Sequence, residues 1–237
     1  MTLKVLGVAG DSFMSARQDY PDQHFTQWLA RHYDVNYKTF ARGAASNTLI
    51  RYQVDQLIED RVDFIFWGST TADKIEIKAE RAQGHPPNLF DFNYHGLEDV
   101  SSLDPRFKEH PSIISNSLTN LLQHDVPKVA KNIKGFFVKN YEWRSKADQD
   151  AWIIHSTWTT LVKSGIPFVF MPAPDLQIKP KLNDLLPMDA KNIINDYPLS
   201  PYTWDQTEVT PYHTTKLAQE EGHGDWVQSR RLDKYLK

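Results

Sequence analysis

The chain contains no cysteine among its 237 residues. Disulfide bonds, thiolate nucleophiles and metal sites held by cysteine are therefore excluded. Any catalytic nucleophile must be an oxygen or a nitrogen atom. A chain of this length buries a full-sized core without crosslinks, so we expect a single domain over residues 1–237.

The sequence also lacks a dominant charge and a long hydrophobic run. Its 27 basic and 30 acidic residues give a formal charge of -3, and the basic residues are scattered. This distribution predicts no nucleic-acid partner. No apolar run approaches the roughly 20 residues of a membrane span, and the N-terminus shows no cleavage site. We therefore expect a soluble protein with no membrane partner and no signal peptide.

Strand and helix patterns alternate along the chain, which predicts a three-layer α/β/α fold with a flavodoxin-like parallel sheet. The predicted strands are "VLGVA", "DVNYKTFA", "VDFIFWGSTT" and "IPFVFMPAP". The predicted helices include "QHFTQWLARHY", "SNTLIRYQVDQLIEDR", "PSIISNSLTNLLQH" and "WRSKADQDAWIIHSTWTTLVKSG". In the second of these helices, either Ser46 or Asn47 is the natural N-cap.

The long helix before the last strand is expected to turn its large apolar residues to the core. Trp152, Ile153, Leu161 and Val162 are assigned to that face. Gly165 follows the last periodic residue, which is typical of a helix C-terminus.

Two irregular segments, at about residues 77–110 and 175–209, are predicted insertions at the carboxyl edge of the sheet. Insertions there commonly form lids or partner surfaces. Both contain aromatic residues, which either mark a protein interface or a sugar-stacking surface or simply pack the insertions onto the core. These aromatic residues are Phe90, Phe92, Tyr94, Tyr202 and Trp204.

Three predicted strands end in small polar residues. Ser12 follows the first strand in "GDSFM", Gly43 and Ala44 follow the second in "RGAASN", and Thr70 follows the third. Because carboxyl ends of parallel strands share one edge, Ser12 is a candidate nucleophile, with backbone and hydroxyl donors nearby for an oxyanion. Gly-Asp-Ser is also common turn and helix-cap chemistry, which is the alternative interpretation.

A serine nucleophile needs a base, and His213 in "PYHTT" is the best candidate among nine histidines. It lies in a predicted loop just before the last helical pattern, where it can reach the sheet edge. His223 is the rival, because Glu220 precedes it by three residues. Four other histidines fall within helical patterns and are expected to be surface or core residues: His24, His32, His124 and His155.

The order of these motifs resembles the SGNH (GDSL-type) hydrolase family over the whole chain. "GDSFM", "RGAASN", the glycine and threonines after the third strand, and "PYHTT" also look like divergent SGNH-like proteins of tailed bacteriophages. The resemblance implies that Ser12 is the nucleophile and His213 the base. It implies oxyanion donors at the N–H groups of Ser12 and Gly43, or Ala44 if the turn shifts by one.

Two positions depart from the family pattern. Thr70 stands where the family has the asparagine that gives the third oxyanion donor, and Thr210 stands where it has an aspartate that orients the histidine. Asp205, Glu208 or a backbone carbonyl could orient His213 instead. The resemblance implies no metal and no organic cofactor.

The implied function is hydrolysis of a small ester or an acylated carbohydrate, such as removal of an O-acetyl group. The alternative is a catalytically weakened SGNH-like structural or binding module, plausibly part of a bacteriophage virion. The location expected is accordingly cytoplasmic or virion-associated.

Overall fold

A computed structural model describes nine segments of the chain. They are residues 3–11, 13–15, 24–41, 45–72, 74–78, 113–117, 139–173, 175 and 177–194. The strands are β1 (Val5–Ala9), β2 (Asn36–Thr39), β3 (Phe64–Gly68), β4 (Lys74–Lys78), β5 (Ile113–Ser117) and β6 (Phe168–Met171). The helices are α1 (Phe25–His32), α2 (Asn47–Glu59), α3 (Trp143–Ser164) and α4 (Lys179–Leu185).

Four strands form a parallel sheet in the order β2-β1-β3-β6. Each neighbouring pair is parallel, with Leu6 opposite both Tyr37 and Phe64, and Ile65 opposite Phe168. This is the flavodoxin-like order predicted from the sequence. The chain reverses its direction of travel across the sheet between β1 and β3, and in such sheets the crevice above that point is where ligands bind.

Side chains of the central strands alternate between two separate hydrophobic clusters. Phe64 and Phe66 face the cluster that contains Phe25 and Leu29 of α1. The intervening residues of β3 face the cluster formed with α2, α3 and α4. Because a strand directs successive side chains to opposite faces, helices cover both sides of the sheet. The predicted three-layer α/β/α fold is confirmed.

Helix α2 begins as its sequence predicts. Ser46 is the N-cap, and its hydroxyl accepts a hydrogen bond from the Leu49 amide at 3.2 Å. Asn47 is therefore the first helical residue, and its side chain is used elsewhere. The choice between the two caps is settled in favour of Ser46.

The predicted core face of α3 is confirmed at Leu161, which is fully buried, and is wrong at Trp152 and Val162. Trp152 and Val162 are 60% and 57% exposed. The buried stripe instead includes Ala151, Ile154 and Trp158. This stripe also contains alanines and a threonine, whereas the prediction considered only large apolar residues. Gly165 ends the helix at φ 73°, as predicted.

The helix predicted for "PSIISNSLTNLLQH" is also wrong over its described part, because Ile113–Ser117 is strand β5. It pairs antiparallel with β4, Lys78 lying opposite Ile113. Isoleucine, serine and asparagine are weak helix formers, and β-branched residues favour strands when a partner strand is available. Within the predicted 175–209 insertion, residues 179–185 form α4.

Candidate active site

The carboxyl ends of β1 and β3 meet at the point where the chain changes direction across the sheet. Asp11 follows β1 and is 1% exposed, and Thr70 follows β3 and is also 1% exposed. The Thr70 hydroxyl donates a hydrogen bond to Asp11 Oδ2 at 2.5 Å. A buried polar contact thus joins the two strand ends across 59 residues of sequence.

Asp11 also organises the turn that follows β1. Its Oδ1 accepts a hydrogen bond from the Phe13 amide at 2.9 Å, and its carbonyl accepts one from the Met14 amide at 3.0 Å. The second bond closes a four-residue turn, and the first is the local side-chain contact that favours aspartate in turns. Ser12 lies inside this turn in sequence, and its own placement is outside the described residues.

Met14 holds the turn against the sheet. Its side chain is 2% exposed and lies over Gly10 and Gly68. A Cβ atom on Gly10 would stand 2.3 Å from Met14 Cγ, and one on Gly68 would stand 2.8 Å from it. Gly10 also has φ 153°, which L-residues rarely adopt. Both strand ends therefore need glycine for the turn to lie this close.

Helix α2 supplies side chains that fix both strand ends. Asn47 Oδ1 accepts a hydrogen bond from the Thr70 amide at 2.9 Å, and Asn47 Nδ2 donates one to the Thr70 carbonyl at 3.1 Å. Gln53 Oε1 accepts a hydrogen bond from the Gly10 amide at 2.7 Å. Buried backbone groups beyond the ends of strands need such partners.

The end of β6 is tied to the end of β3 in the same way. The Ser69 hydroxyl accepts a hydrogen bond from the Ala173 amide at 2.9 Å. Asp175 Oδ2 accepts one from the Ala72 amide at 2.7 Å, and its Oδ1 accepts from the amide of Gln177 at 2.6 Å. Carboxylates and hydroxyls thus set the backbone at three neighbouring strand ends.

Solved structures resemble this chain in the course of the backbone. The psychrotrophic esterase EstA from Pseudoalteromonas sp., inhibited by monoethylphosphonate, gives a TM-score of 0.52 at 10% identity, with 98% of each chain covered. This chain therefore shares its fold with that esterase. TesA gives 0.49 at 9% identity over 95% of this chain and 97% of its own. AlinE4, an SGNH-hydrolase family esterase, gives 0.41 at 10% identity over 99% and 97%.

No family model matches the sequence, and no curated protein matches it. The similarity to these solved structures is therefore a similarity of fold and not of sequence.

The described part of the chain contains one of the predicted site residues, Thr70. The other predicted site residues lie outside the described residues: Ser12, Gly43, Asp205, Glu208, Thr210 and His213. Their roles stay predictions. The parallel pairing of β1, β2 and β3 does place the ends of the three strands at one edge, as the sequence predicted.

Thr70 has a different partner from the one expected. A threonine hydroxyl carries one proton, and here that proton is donated to Asp11. To donate to an oxyanion, the hydroxyl must turn away from the carboxylate. Its role as the third oxyanion donor stays a prediction.

Sequence reasoning missed His24. It was assigned to a helical pattern as a surface or core residue, but it is the N-cap of α1 and is 2% exposed. Its Nε2 lies 2.9 Å from the carbonyl oxygen of Phe13, inside the turn after β1. The spacing of His24 and Gln27, which form a capping box, was the available signal.

Among the described residues, no group of three histidine or carboxylate side chains could hold a metal ion. In the same part of the chain, no helix is both long and apolar enough to cross a membrane.

Proposed function

We propose that this protein is a serine-dependent ester hydrolase in which Ser12 is the nucleophile. The observation that carries the proposal is the turn after β1, whose flanking residues Asp11 and Phe13 are fixed at the β1–β3 crevice. In an open parallel sheet this is the expected place for a ligand. The SGNH-type fold and the "GDS" motif support the same assignment.

In the first half of the reaction, Ser12 Oγ attacks the ester carbonyl carbon while His213 accepts its proton. The carbonyl oxygen becomes an oxyanion, held by the N–H groups of Ser12 and Gly43 and by the Thr70 hydroxyl. His213 then returns the proton to the departing alcohol, leaving an acyl group on Ser12.

In the second half, water attacks the acyl carbon and gives its proton to His213. The serine bond breaks, and the carboxylic acid leaves as Ser12 recovers the proton. His213 needs a group that fixes its tautomer, and Thr210 stands where a carboxylate would be expected. Asp205 or Glu208 would supply that carboxylate from the preceding loop.

The substrate class proposed is a small ester, with an O-acetyl group on a carbohydrate as the specific case. The support is the aromatic content of the two predicted insertions, since aromatic rings stack on sugar faces and also form protein interfaces. We propose a cytoplasmic or virion-associated location, and the support is the resemblance of the motifs to tailed-bacteriophage proteins.

A non-catalytic binding or structural module, plausibly a virion component, is the second candidate. The commitment of the Thr70 hydroxyl to Asp11 favours it, because that hydroxyl is then occupied within the protein. The threonine at position 210 favours it as well. A shared fold does not by itself decide between an enzyme and a binding module.

Labelling by a fluorophosphonate separates the two candidates. We expect the native protein to be labelled stoichiometrically at neutral to mildly alkaline pH, because a serine next to a base is far more nucleophilic than a solvated serine. Ser12→Ala should abolish labelling and p-nitrophenyl acetate hydrolysis while leaving the circular dichroism spectrum unchanged. Ser15→Ala, in the same loop, is the matched control and should still be labelled.

An unlabelled native protein would contradict the hydrolase and favour the binding module. Labelling that survives Ser12→Ala would assign the nucleophile to another residue.

A further inference from the structure

His24 connects the first turn of α1 to the turn that contains Ser12 in sequence. Its Nε2 lies 2.9 Å from the Phe13 carbonyl oxygen, and its Nδ1 lies 2.7 Å from Thr26 Oγ1 and 3.4 Å from the Thr26 amide nitrogen. The ring is 2% exposed. The hydrolase mechanism proposed above makes no use of it.

The partners of His24 assign its tautomer. A carbonyl oxygen only accepts, so Nε2 must carry a proton and donate it to Phe13. The Thr26 amide only donates, so Nδ1 must be without a proton. The tautomer that satisfies all three contacts carries its proton on Nε2, and in it the Thr26 hydroxyl donates to Nδ1.

The chain of hydrogen bonds continues to β2. Because Thr26 Oγ1 gives its proton to His24, it must accept one from the Tyr37 hydroxyl, 2.9 Å away. Burial raises the pKa of Tyr37 above its ordinary value, against a smaller lowering by hydrogen bonds to Thr26 and Thr39. Tyr37 therefore keeps its proton. In this chain of hydrogen bonds Tyr37 donates to Thr26, Thr26 donates to His24, and His24 donates to the Phe13 carbonyl.

The position of Phe13 is set from two sides. Asp11 Oδ1 accepts from its amide at 2.9 Å, and His24 donates to its carbonyl at 2.9 Å. Phe13 is bonded directly to Ser12, and a peptide bond is planar and rigid. An error of about 1 Å in the placement of a reacting group can cost on the order of a hundredfold in rate.

We propose that His24 is a positioning residue for Ser12, acting through the hydrogen bond from its Nε2–H to the Phe13 carbonyl. The proposal rests on the proposed hydrolase function, and it adds a role for a histidine distinct from the base. The bond fixes the turn on its α1 side, as Asp11 and Thr70 fix it on the β3 side. The role as helix cap and the role as turn anchor use different ring nitrogens, so they can be separated by substitution.

Two amide variants make the separation. His24→Asn keeps an acceptor close to the position of Nδ1, and asparagine is among the best N-caps, but its amide is too short to reach Phe13. His24→Gln places an amide N–H near the position of Nε2, and glutamine is a poor cap. The asparagine variant therefore keeps the cap and loses the anchor, and the glutamine variant does the opposite.

The first readout is the second-order rate of fluorophosphonate labelling at Ser12. We expect His24→Asn to lower it at least about tenfold and His24→Gln to stay within about threefold of the native rate. His32→Asn, an exposed histidine in the last turn of α1, is the matched control and should label at the native rate. Equal losses in the asparagine and glutamine variants would overturn the proposal.

The second readout does not need activity. The Met14 amide donates to the Asp11 carbonyl within the turn, so its hydrogen exchange reports whether the turn is closed. Exchange should accelerate about tenfold in His24→Asn and not in His24→Gln. Unchanged exchange in His24→Asn would overturn the proposal, whatever the labelling shows.

The two readouts also separate this proposal from the hydrolase itself. If the native protein is never labelled but Met14 exchange follows the expected pattern, the hydrolase fails and the anchoring of the turn by His24 stands. Nitrogen-15 NMR of the native ring should show a protonated Nε2 and an unprotonated Nδ1. The reverse tautomer would overturn the proposal.

Discussion

Thr70 makes hydrogen bonds through its amide, its carbonyl and its hydroxyl. The sequence identified it as a polar residue at a strand end, and that position is confirmed. It did not reveal that Asp11 and Asn47 would be the partners, because both contacts join residues far apart in sequence. A residue type at a strand end is readable, whereas its choice of partner depends on the register of the folded sheet.

At the residue scale, we expect Thr70→Val to lower the free energy of unfolding by about 1–3 kcal/mol, because a buried carboxylate loses a donor. Valine has nearly the shape of threonine, so packing should change little. Thr70→Ser keeps the hydroxyl and is the control, with a loss within about 1 kcal/mol. Urea unfolding measures both. A valine variant as stable as the native protein would mean that the Asp11 contact contributes nothing net.

Helix α2 shows what a periodic pattern predicts and what it omits. The sequence pattern predicts that Leu49, Ile50, Val54, Leu57 and Ile58 share one face; the first four are buried and Ile58 is partly buried. Its N-terminus was predicted to within one residue. In α3 the same reasoning was right for Leu161 and wrong for Trp152 and Val162, because a helix packed against two neighbours buries alanine and threonine and leaves a tryptophan outside. The polar contacts that α2 makes with the strand ends carry no periodic signal.

At the element scale, Asn47→Ala should lower the free energy of unfolding by about 2–4 kcal/mol, because the buried amide and carbonyl of Thr70 both lose their partner. Thr48→Ala, the next residue of α2, is the matched control and should change it by about 0.5 kcal/mol or less. Denaturant titration measures the free energy of unfolding of both variants, and the comparison requires that their m-values equal that of the native protein. Equal effects would show that α2 does not support the end of β3 through Asn47.

For the whole molecule, the order of strands was predictable because alternating strand and helix patterns leave few topologies for a parallel sheet. The parallel sheet, its order and its three layers are confirmed. Strand β5 was missed, since "IISNS" pairs with β4, which lies far away in sequence. The candidate catalytic residues come from opposite ends of the chain, so their meeting depends on the complete fold and stays a prediction.

Replacing each of two C-terminal histidines by alanine tests which of them acts with Ser12. We expect His213→Ala to lower turnover of p-nitrophenyl acetate by at least about a thousandfold, as loss of a general base does in a serine hydrolase. His223→Ala should leave turnover within about twofold, because it lies later in the terminal helical pattern. Initial rates at saturating substrate measure both. The reverse result would make His223 the base and Glu220 its orienting carboxylate.

The paired hydrogen bonds between Asn47 and Thr70 have a consequence for cooperativity. A side-chain amide that accepts from the N–H and donates to the C=O of one residue reproduces what a residue of a neighbouring strand would offer. The first turn of α2 is thereby joined to β3 as if it were a further strand of the sheet. Helix and strand end should consequently open as one unit, so the crevice edge shares the protection of the core and is not left to local fraying.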